Sequence, residues 1–225
     1  MLFAKIISNI VFSILLNMTG YFDYLIVLSP SENIVTRVKK LKGFSFKKIG
    51  EYENSNSKAS IEVQYWPRKK PLWVEPLIPK LERELQLLPA ATMDINGFNF
   101  FNQQRSKTIY AKLKSSPSVD IWFKQLRKYF NKPAFEPHLT IAESITGDAF
   151  NTLWPGFKNL HWEEQFYVDK LIILKRETIG YDRSYKGFKE IYFNNKLDFD
   201  TFAGAKIKKP LLAGSNIGAQ QTSLF

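Results

Sequence analysis

The chain has 225 residues, 44% of them hydrophobic, which is enough for one moderate domain or two fused lobes with a packed core. It contains no cysteine and only two histidines, which excludes disulfides, thiolate chemistry and a histidine-rich metal site. Its 32 basic and 21 acidic residues give a formal charge of +11, which favours polyanionic partners such as RNA and nucleotides.

Residues 1–17 stand apart from the rest of the chain. An apolar run from Ile6 to Leu16 follows a single lysine, but two serines and one asparagine interrupt it. The run is too short and too polar for a membrane span, and no small-x-small cleavage site follows it. A weak secretory signal and a mis-assigned start are the alternatives, and the domain pattern begins at Tyr21, just after Met18. We therefore favour a start at Met18 and expect a cytoplasmic protein without a membrane partner.

Hydrophobic periodicity predicts a series of strands and helices between Tyr21 and Phe193. In chain order they are a strand over 22–28, a helix from Ser29-Pro30 to a stop at Gly43, a polar loop over 51–57, a strand over 61–65, a helix over 76–88, strands over 92–101 and 107–113, a helix over 118–130, a strand at 138–141, a helix over 147–154, and strands over 166–174 and 188–193. The chain therefore mixes helices and strands throughout.

A short internal repeat divides this series into two halves. Ser29-Pro30-Ser31-Glu32-Asn33-Ile34 matches Ser116-Pro117-Ser118-Val119-Asp120-Ile121, and each copy follows an apolar strand and opens a basic helix. After the first copy the chain reaches Lys58-Ala59-Ser60-Ile61-Glu62-Val63, and after the second it reaches Glu136-Pro137-His138-Leu139-Thr140-Ile141. Both halves thus predict the same order of strand, helix, loop and strand.

The tetrad His138-Leu139-Thr140-Ile141 occurs once and is the strongest chemical signal in the sequence. On a strand, residues two apart point to the same face, so His138 and Thr140 lie together while Leu139 and Ile141 point into a core. This places an imidazole that can exchange a proton near neutral pH beside a hydroxyl that can hold a phosphate oxygen.

In this context the chain resembles the 2'-5' RNA ligase family of the two-histidine (2H) phosphoesterase superfamily. The resemblance runs from Tyr21 to about Phe193, and the residues that carry it are Tyr24 to Pro30, Ser106 to Tyr110, Pro137 to Ile141 and Leu174-Lys175-Arg176. It implies an α+β fold with two pseudo-symmetric lobes whose antiparallel sheets surround a central cleft, here over 18–200. It also implies 2'-5' RNA ligase or cyclic phosphodiesterase activity on RNA or nucleotide phosphodiesters, without a metal or other cofactor. We expect a monomer.

The family carries two His-x-Thr/Ser motifs that face each other, one histidine acting as general base and the other as general acid on the phosphodiester. His138 and Thr140 match one motif, whereas Ser60 and Glu62 occupy the positions of the other. Serine does not titrate near neutral pH, and a carboxylate at Glu62 repels phosphate. These two changes predict weak or lost activity, so whether the chain is an enzyme stays open. As a minority route, Glu62 could act as a general base opposite His138.

Further residues are candidates for binding the substrate. Basic side chains near the expected cleft could grip phosphates: Lys58, Arg105, Lys107, Lys175 and Arg176. Tyr110 could stack on a base.

The tail over 201–225 is rich in small and polar residues, and we expect it to be disordered. Its end resembles the Gln-x-Ser/Asp-Leu-Phe peptide with which bacterial proteins dock on the DNA sliding clamp. Gln221 would supply paired hydrogen bonds, and Leu224 and Phe225 would be the apolar anchors. The alternative function is therefore a non-catalytic adaptor, a pseudoenzyme recruited to the clamp through this tail.

Overall fold

The computed structural model describes residues 20–130, 136–179 and 184–199. Its elements in chain order are β1 (Phe22–Leu28), α1 (Glu32–Ile49), β2 (Ile61–Lys69), α2 (Pro71–Val74), a 3₁₀ turn (Glu75–Leu77), α3 (Ile78–Leu85), β3 (Ala91–Asn102), β4 (Lys107–Leu113), α4 (Pro117–Phe130), β5 (His138–Ile145), α5 (Gly147–Lys158), β6 (Glu163–Val168), β7 (Lys170–Glu177) and β8 (Lys186–Tyr192). The segments 1–17 and 201–225 lie outside the described residues. None of the helices in the described ranges is long and apolar enough to cross a membrane.

The strands form two four-stranded sheets in which every pair of neighbours is antiparallel. Sheet 1 has the order β2-β1-β7-β8, and sheet 2 has the order β5-β4-β3-β6. Both halves of the chain follow the order strand, helix, strand, as β1-α1-β2 and β4-α4-β5. The fold is therefore α+β with two antiparallel sheets, as predicted from the resemblance.

Each repeat helix makes contacts with the other half of the chain, and α4 also contacts β3 of its own sheet. Helix α1 contacts β5 and α5, and the Arg37 guanidinium lies 4.9 Å from the Trp162 ring beside β6. Helix α4 contacts α3 and β3, and its Phe130 ring lies 6.2 Å from Trp66 of β2. Because the helices cross in this way, the buried side chains of both sheets form one continuous core.

The predicted strand over 166–174 is wrong, because the structure divides it between the two sheets. Strand β6 pairs with β3 through Val168 and Ala91, whereas β7 pairs with β1 through Leu171 and Leu28. The chain crosses between the sheets at Asp169, whose carbonyl accepts a hydrogen bond from the backbone N–H of Phe193. Buried residues alternate on both sides of this crossing, so periodicity alone cannot reveal it.

Two predicted helix boundaries also differ. Helix α1 continues through Gly43 to Ile49 and ends at Gly50, whose φ of 78° is accessible to glycine. An interior glycine costs a helix only about 1 kcal/mol, which burial of one helix face offsets. The helical segment predicted over 76–88 begins earlier, at Pro71, in the position where proline starts helices well.

The Ser-Pro-Ser repeat is offset by two residues in the structure. Ser31, the third residue of the first copy, precedes α1. In the second copy Ser116, the first residue, caps α4, because its Oγ accepts a hydrogen bond from the Val119 N–H at 3.3 Å. The order of elements repeats, but the matching letters are not equivalent positions.

Candidate functional site

Strands β2 and β5 are the edges at which the two sheets contact each other. Helices cover the sheet face that bears Tyr24 and Trp66 in sheet 1 and the face that bears Phe100 and Ile109 in sheet 2. The opposite faces, here called the open faces, meet along β2 and β5 and form the candidate site.

The registers of the two motif strands coincide. In β5, Thr140 lies opposite Tyr110, and a bulge follows before Ala142 pairs with Ile109. In β2, Glu62 lies opposite Val27, and a bulge follows before Gln64 pairs with Ile26. The bulge therefore falls at the same step of both strands. Val27 and Tyr110 occupy matching positions on the open faces, where both are buried.

The backbone just before β5 orients the His138 ring. Its Nδ1 lies 2.7 Å from the backbone carbonyl oxygen of Glu136. A carbonyl only accepts, so we assign the proton to Nδ1, which leaves Nε2 of the neutral ring free to accept a proton. The ring also contacts Phe101 and Tyr110, with centroids 4.9 and 4.8 Å away.

Tyr110 forms the floor beneath this histidine. Its ring stacks on Phe101 at 4.3 Å, and its hydroxyl donates a hydrogen bond to Glu136 Oε1 at 3.1 Å. Burial and the Glu136 carboxylate raise the pKa of Tyr110 to about 12. Tyr110 is thus a neutral phenol at physiological pH, and Glu136 positions both rings of the site.

The β2 side of the site is acidic. Glu62 is exposed on the open face, and Glu143 of β5 is half-buried. Burial raises the pKa of Glu143, and the carboxylates of Glu53 and Glu62 raise it further, while Lys42 opposes them. Glu62 is therefore close enough to Glu143 for like-charge repulsion across the junction of the two sheets.

Lys42 supports the loop that leads into β2. Its side chain is buried, and its Nζ donates to the carbonyl oxygens of Asn54 and Ser57 at 2.9 and 3.1 Å. Burial lowers the pKa of Lys42 to about 8. Tyr52 of the same loop donates from its hydroxyl to the Ile141 carbonyl at 3.1 Å, so the loop covers the free edge of β5.

A second polar network lies on the open face of sheet 1. Asp23 is buried and accepts hydrogen bonds from Arg176 Nε, Thr178 Oγ1 and the Arg68 backbone N–H at 2.9–3.0 Å. Burial opposes ionisation of Asp23, but these donors outweigh it and hold its pKa below the usual value. Arg176 also hydrogen-bonds to Tyr65 and lies 4.4 Å from the Tyr185 ring.

The structure does not bring the predicted basic residues together. Lys107 lies on the helix-covered face, with Nζ 4.7 Å from the Phe150 ring. Lys175 also lies on a helix-covered face, where its Nζ contacts Glu75 at 2.8 Å and the Phe22 ring at 4.1 Å. The physical reason is strand alternation: Lys107 shares parity with Ile109, and Lys175 is one residue from Arg176.

The other two basic candidates, Arg105 and Lys58, lie at the periphery of the site. Arg105 is exposed in the turn between β3 and β4, at the end of β4 opposite to His138. Lys58 is exposed in the loop before β2, with Nζ 4.0 Å from Glu32. Of the five basic candidates, Arg176 is therefore the one whose contacts, with Asp23 above all, place it on the open face of sheet 1.

Sequence reasoning missed Glu136 as the residue that orients His138 and Tyr110, and it missed Asp23 and Glu143. The proximity of Glu136 to His138 in the chain was available, but the pairing of Tyr110 with Thr140 depends on sheet register. Within the described ranges no group of three or more acidic or histidine side chains is arranged to hold a metal ion. A surface cavity of about 330 Å³ lies against β6, at the opposite edge of sheet 2 from β5.

Comparison with known proteins identifies the family. The model of the 2'-5' RNA ligase superfamily matches residues 65–180, more than half of the chain. The match includes His138 and Thr140 and begins just after Glu62. The chain belongs to the 2'-5' RNA ligase superfamily. No curated protein sequence matches the chain.

Solved structures share the fold at low sequence identity. Escherichia coli LigT complexed with phosphate has a TM-score of 0.54 at 10% identity, over 78% of this chain and 99% of that chain. LigT complexed with 3'-AMP has a TM-score of 0.53 at 9% identity, over 77% and 98%. The protein TT0787 of Thermus thermophilus has a TM-score of 0.53 at 11% identity, over 76% and 97%. These likenesses establish the same fold.

Proposed function

We propose that this protein binds an RNA or nucleotide phosphodiester at the junction of β2 and β5, with the two-histidine reaction weak or lost. The observation that carries the proposal is the coinciding register of the two strands. His138 and Thr140 would form one half of a two-histidine site. The position of β2 that matches Thr140 holds Glu62, and Ser60, which directly precedes β2, is the counterpart of His138 in the sequence motif.

Hydrolysis of a 2',3'-cyclic phosphate shows what each half must supply. Water attacks phosphorus as a base removes its proton, and the bond from phosphorus to the leaving 2' or 3' oxygen breaks as an acid protonates that oxygen. The two groups act from opposite sides, so one imidazole cannot serve both at once. His138 Nε2 can fill one role, but the Ser60 hydroxyl does not titrate near neutral pH.

Glu62 is the group that would act from the opposite side. As a base opposite a protonated His138 it would complete an acid–base pair, which is the minority catalytic route. Its negative charge opposes that route, because phosphate carries the same charge and Glu143 already repels Glu62. A less anionic substrate suits this arrangement better than an ordinary phosphodiester.

Ligand binding is supported by the groups around His138. The Thr140 hydroxyl can donate to a phosphate oxygen, and Phe101 offers a half-buried ring on the same face for a base. LigT, which shares this fold, is known in complexes with phosphate and with 3'-AMP, and this supports a nucleotide-type ligand here. The net charge of +11 favours the same class of partner.

The test compares turnover of a 2',3'-cyclic nucleotide by the wild type, His138→Ala and Ser60→His/Glu62→Thr. We expect very slow turnover by the wild type and a gain of about a hundredfold or more in the double variant, since one acid–base group is worth about 10²–10⁴ in rate. Fast wild-type turnover that disappears in His138→Ala would contradict the loss of activity.

The second candidate function is a non-catalytic adaptor recruited to a sliding clamp. It is favoured by the terminal sequence Gln221-Thr222-Ser223-Leu224-Phe225, which lies outside the described residues. Its test is independent of the phosphodiester site and uses the tail peptide.

A further inference from the structure

One end of sheet 1 carries a surface that the phosphodiester site does not use. At this end β1 begins, while β2 and β7 finish. Four large apolar side chains from three chain segments are exposed there, here called the apolar end: Tyr21, Leu72, Trp73 and Ile179. Trp73 is 62% exposed and Ile179 is 80% exposed, so neither contributes to the core.

Local structure holds these side chains outward. A bulge at Pro67-Arg68 shifts the pairing from Tyr24↔Trp66 to Phe22↔Lys69, and Arg68 takes a positive φ of 50°. The bulge is fixed because the Arg68 N–H donates to Asp23. The short helix α2 then buries Pro71 and Val74, which leaves Leu72 and Trp73 facing solvent.

A short basic segment leads into the apolar end. Arg68, Lys69 and Lys70 are consecutive. The Lys70 Nζ lies 5.6 Å from the Tyr21 ring and 5.9 Å from the Trp73 ring. The carboxylates of Asp23 and Glu75 nearby are paired with Arg176 and Lys175, so they do not cancel this charge. The Glu177 carboxylate next to Thr178 adds one negative charge to this end of the sheet.

The most apolar stretch of the sequence joins the body at this same place. The run from Ile6 to Leu16 contains no charged residue and leads through residues 17–20 to Tyr21. The backbone carbonyl of Tyr21 accepts a hydrogen bond from the Thr178 N–H, which ties this entry point to the segment that bears Ile179. The apolar end and the apolar run are therefore tethered to each other.

We propose that the apolar end docks on an anionic lipid surface. Leu72, Trp73 and Ile179 would enter the boundary between headgroups and acyl chains, where tryptophan and aliphatic side chains are favoured. The consecutive Arg68, Lys69 and Lys70 would face the anionic headgroups.

This proposal differs from the expectation of no membrane partner. Residues 1–17 alone are too short and too polar to span a membrane, whereas the apolar end is a surface formed only in the folded protein. The proposal concerns a part of the molecule separate from His138, so it does not depend on phosphodiester chemistry.

The experiment is flotation of the full chain with vesicles of phosphatidylcholine alone and of phosphatidylcholine with phosphatidylglycerol. Leu72→Ser/Trp73→Ser removes two apolar contacts, and Lys69→Gln/Lys70→Gln removes two charges. The matched control is Leu160→Ser/Tyr167→Ser, which changes two exposed apolar residues beside sheet 2. We expect both test variants to lower the partition coefficient on anionic vesicles about tenfold or more, while the control binds like the wild type.

Three outcomes would overturn the proposal. The full chain could fail to float with anionic vesicles, or Leu72→Ser/Trp73→Ser could float as well as the wild type, which would leave attachment to the 6–16 run alone. A parallel titration with single-stranded RNA supplies the third outcome. If that variant loses RNA binding and keeps vesicle binding, Trp73 belongs to a base-stacking surface and not to a membrane contact.

Discussion

Glu62 occupies in β2 the position that Thr140 occupies in β5. Each residue is directly opposite a buried residue of the neighbouring strand, Val27 for Glu62 and Tyr110 for Thr140, and each precedes a bulge. The two halves therefore offer a phosphate ligand unequal partners, a hydroxyl on one side and a carboxylate on the other. This asymmetry has measurable consequences for binding and for stability.

Replacement of the carboxylate by a hydroxyl is expected to strengthen nucleotide binding. Glu62→Thr should lower the Kd for a 2',3'-cyclic nucleotide about fivefold, because Glu62 is exposed and repulsion between two unit charges about 4 Å apart in water is worth about 1 kcal/mol. Calorimetric titration at low salt measures the change. Glu163→Thr, at an exposed glutamate of β6 on the opposite edge of sheet 2, is the matched control, and an equal gain in both variants would assign the effect to net charge.

Loss of the Thr140 hydroxyl is expected to weaken the same binding. Thr140→Val keeps the shape of the side chain but removes a donor to charged phosphate, worth about 1.5 kcal/mol or about tenfold in Kd. Lys107→Ala and Lys175→Ala serve as comparison variants, because both lysines point to helix-covered faces. A larger loss from either lysine than from Thr140 would place the phosphate elsewhere.

The affinity of the wild type for RNA or a nucleotide should depend on salt. The logarithm of the affinity should fall linearly with the logarithm of the salt concentration.

Glu143 makes stability depend on pH in a defined direction. Its folded-state pKa is raised above the ordinary value of 4.5 by burial and by Glu53 and Glu62. Below the unfolded-state value both states are protonated and no penalty exists, whereas stability is lost as pH rises through the folded-state value. Glu143→Gln should therefore be more stable than the wild type at neutral pH, with the advantage shrinking toward acid pH.

Thermal unfolding followed across this pH range measures the effect of Glu143→Gln. Glu51→Gln, an exposed glutamate in the loop before β2, is the control and should leave the pH dependence unchanged. An advantage for Glu143→Gln that is constant with pH would show that repulsion among these carboxylates is not its source.

The sequence of the C-terminal tail predicts a contact with a sliding clamp that does not require the folded part of the chain. We expect a peptide of the last ten or so residues to bind a bacterial sliding clamp with a Kd near the micromolar range, or about −8 kcal/mol. Ordering of a free tail opposes tighter binding. The control peptide carries Leu224→Ala/Phe225→Ala, which removes both apolar anchors. Equal binding by the two peptides, or none by either, would exclude this role.

Much of the fold was accessible from local pattern. The spacing of apolar residues predicted β1, β4 and α4 close to their observed bounds. Errors arose where packing overrode a local signal. Helix α1 passes through Gly43, because its buried face compensates for one poor helix residue. The split between β6 and β7 at Asp169 was hidden, because each half of the run alternates in the same way.

In the candidate site, too, the sequence determines some features and the tertiary structure determines the others. The period of two along a strand is enough to put His138 and Thr140 on one face. The residue at position 60 shows directly that the second motif has serine in place of histidine. Those statements concern residue identity and local geometry, so the sequence by itself determined them. Tyr110 beside His138, Glu62 near Glu143, and Lys107 and Lys175 on the helix-covered faces required the tertiary structure. Sheet register and the choice of covered face arise from contacts between distant segments, and these are fixed by burial of the whole core and not by any one stretch of chain.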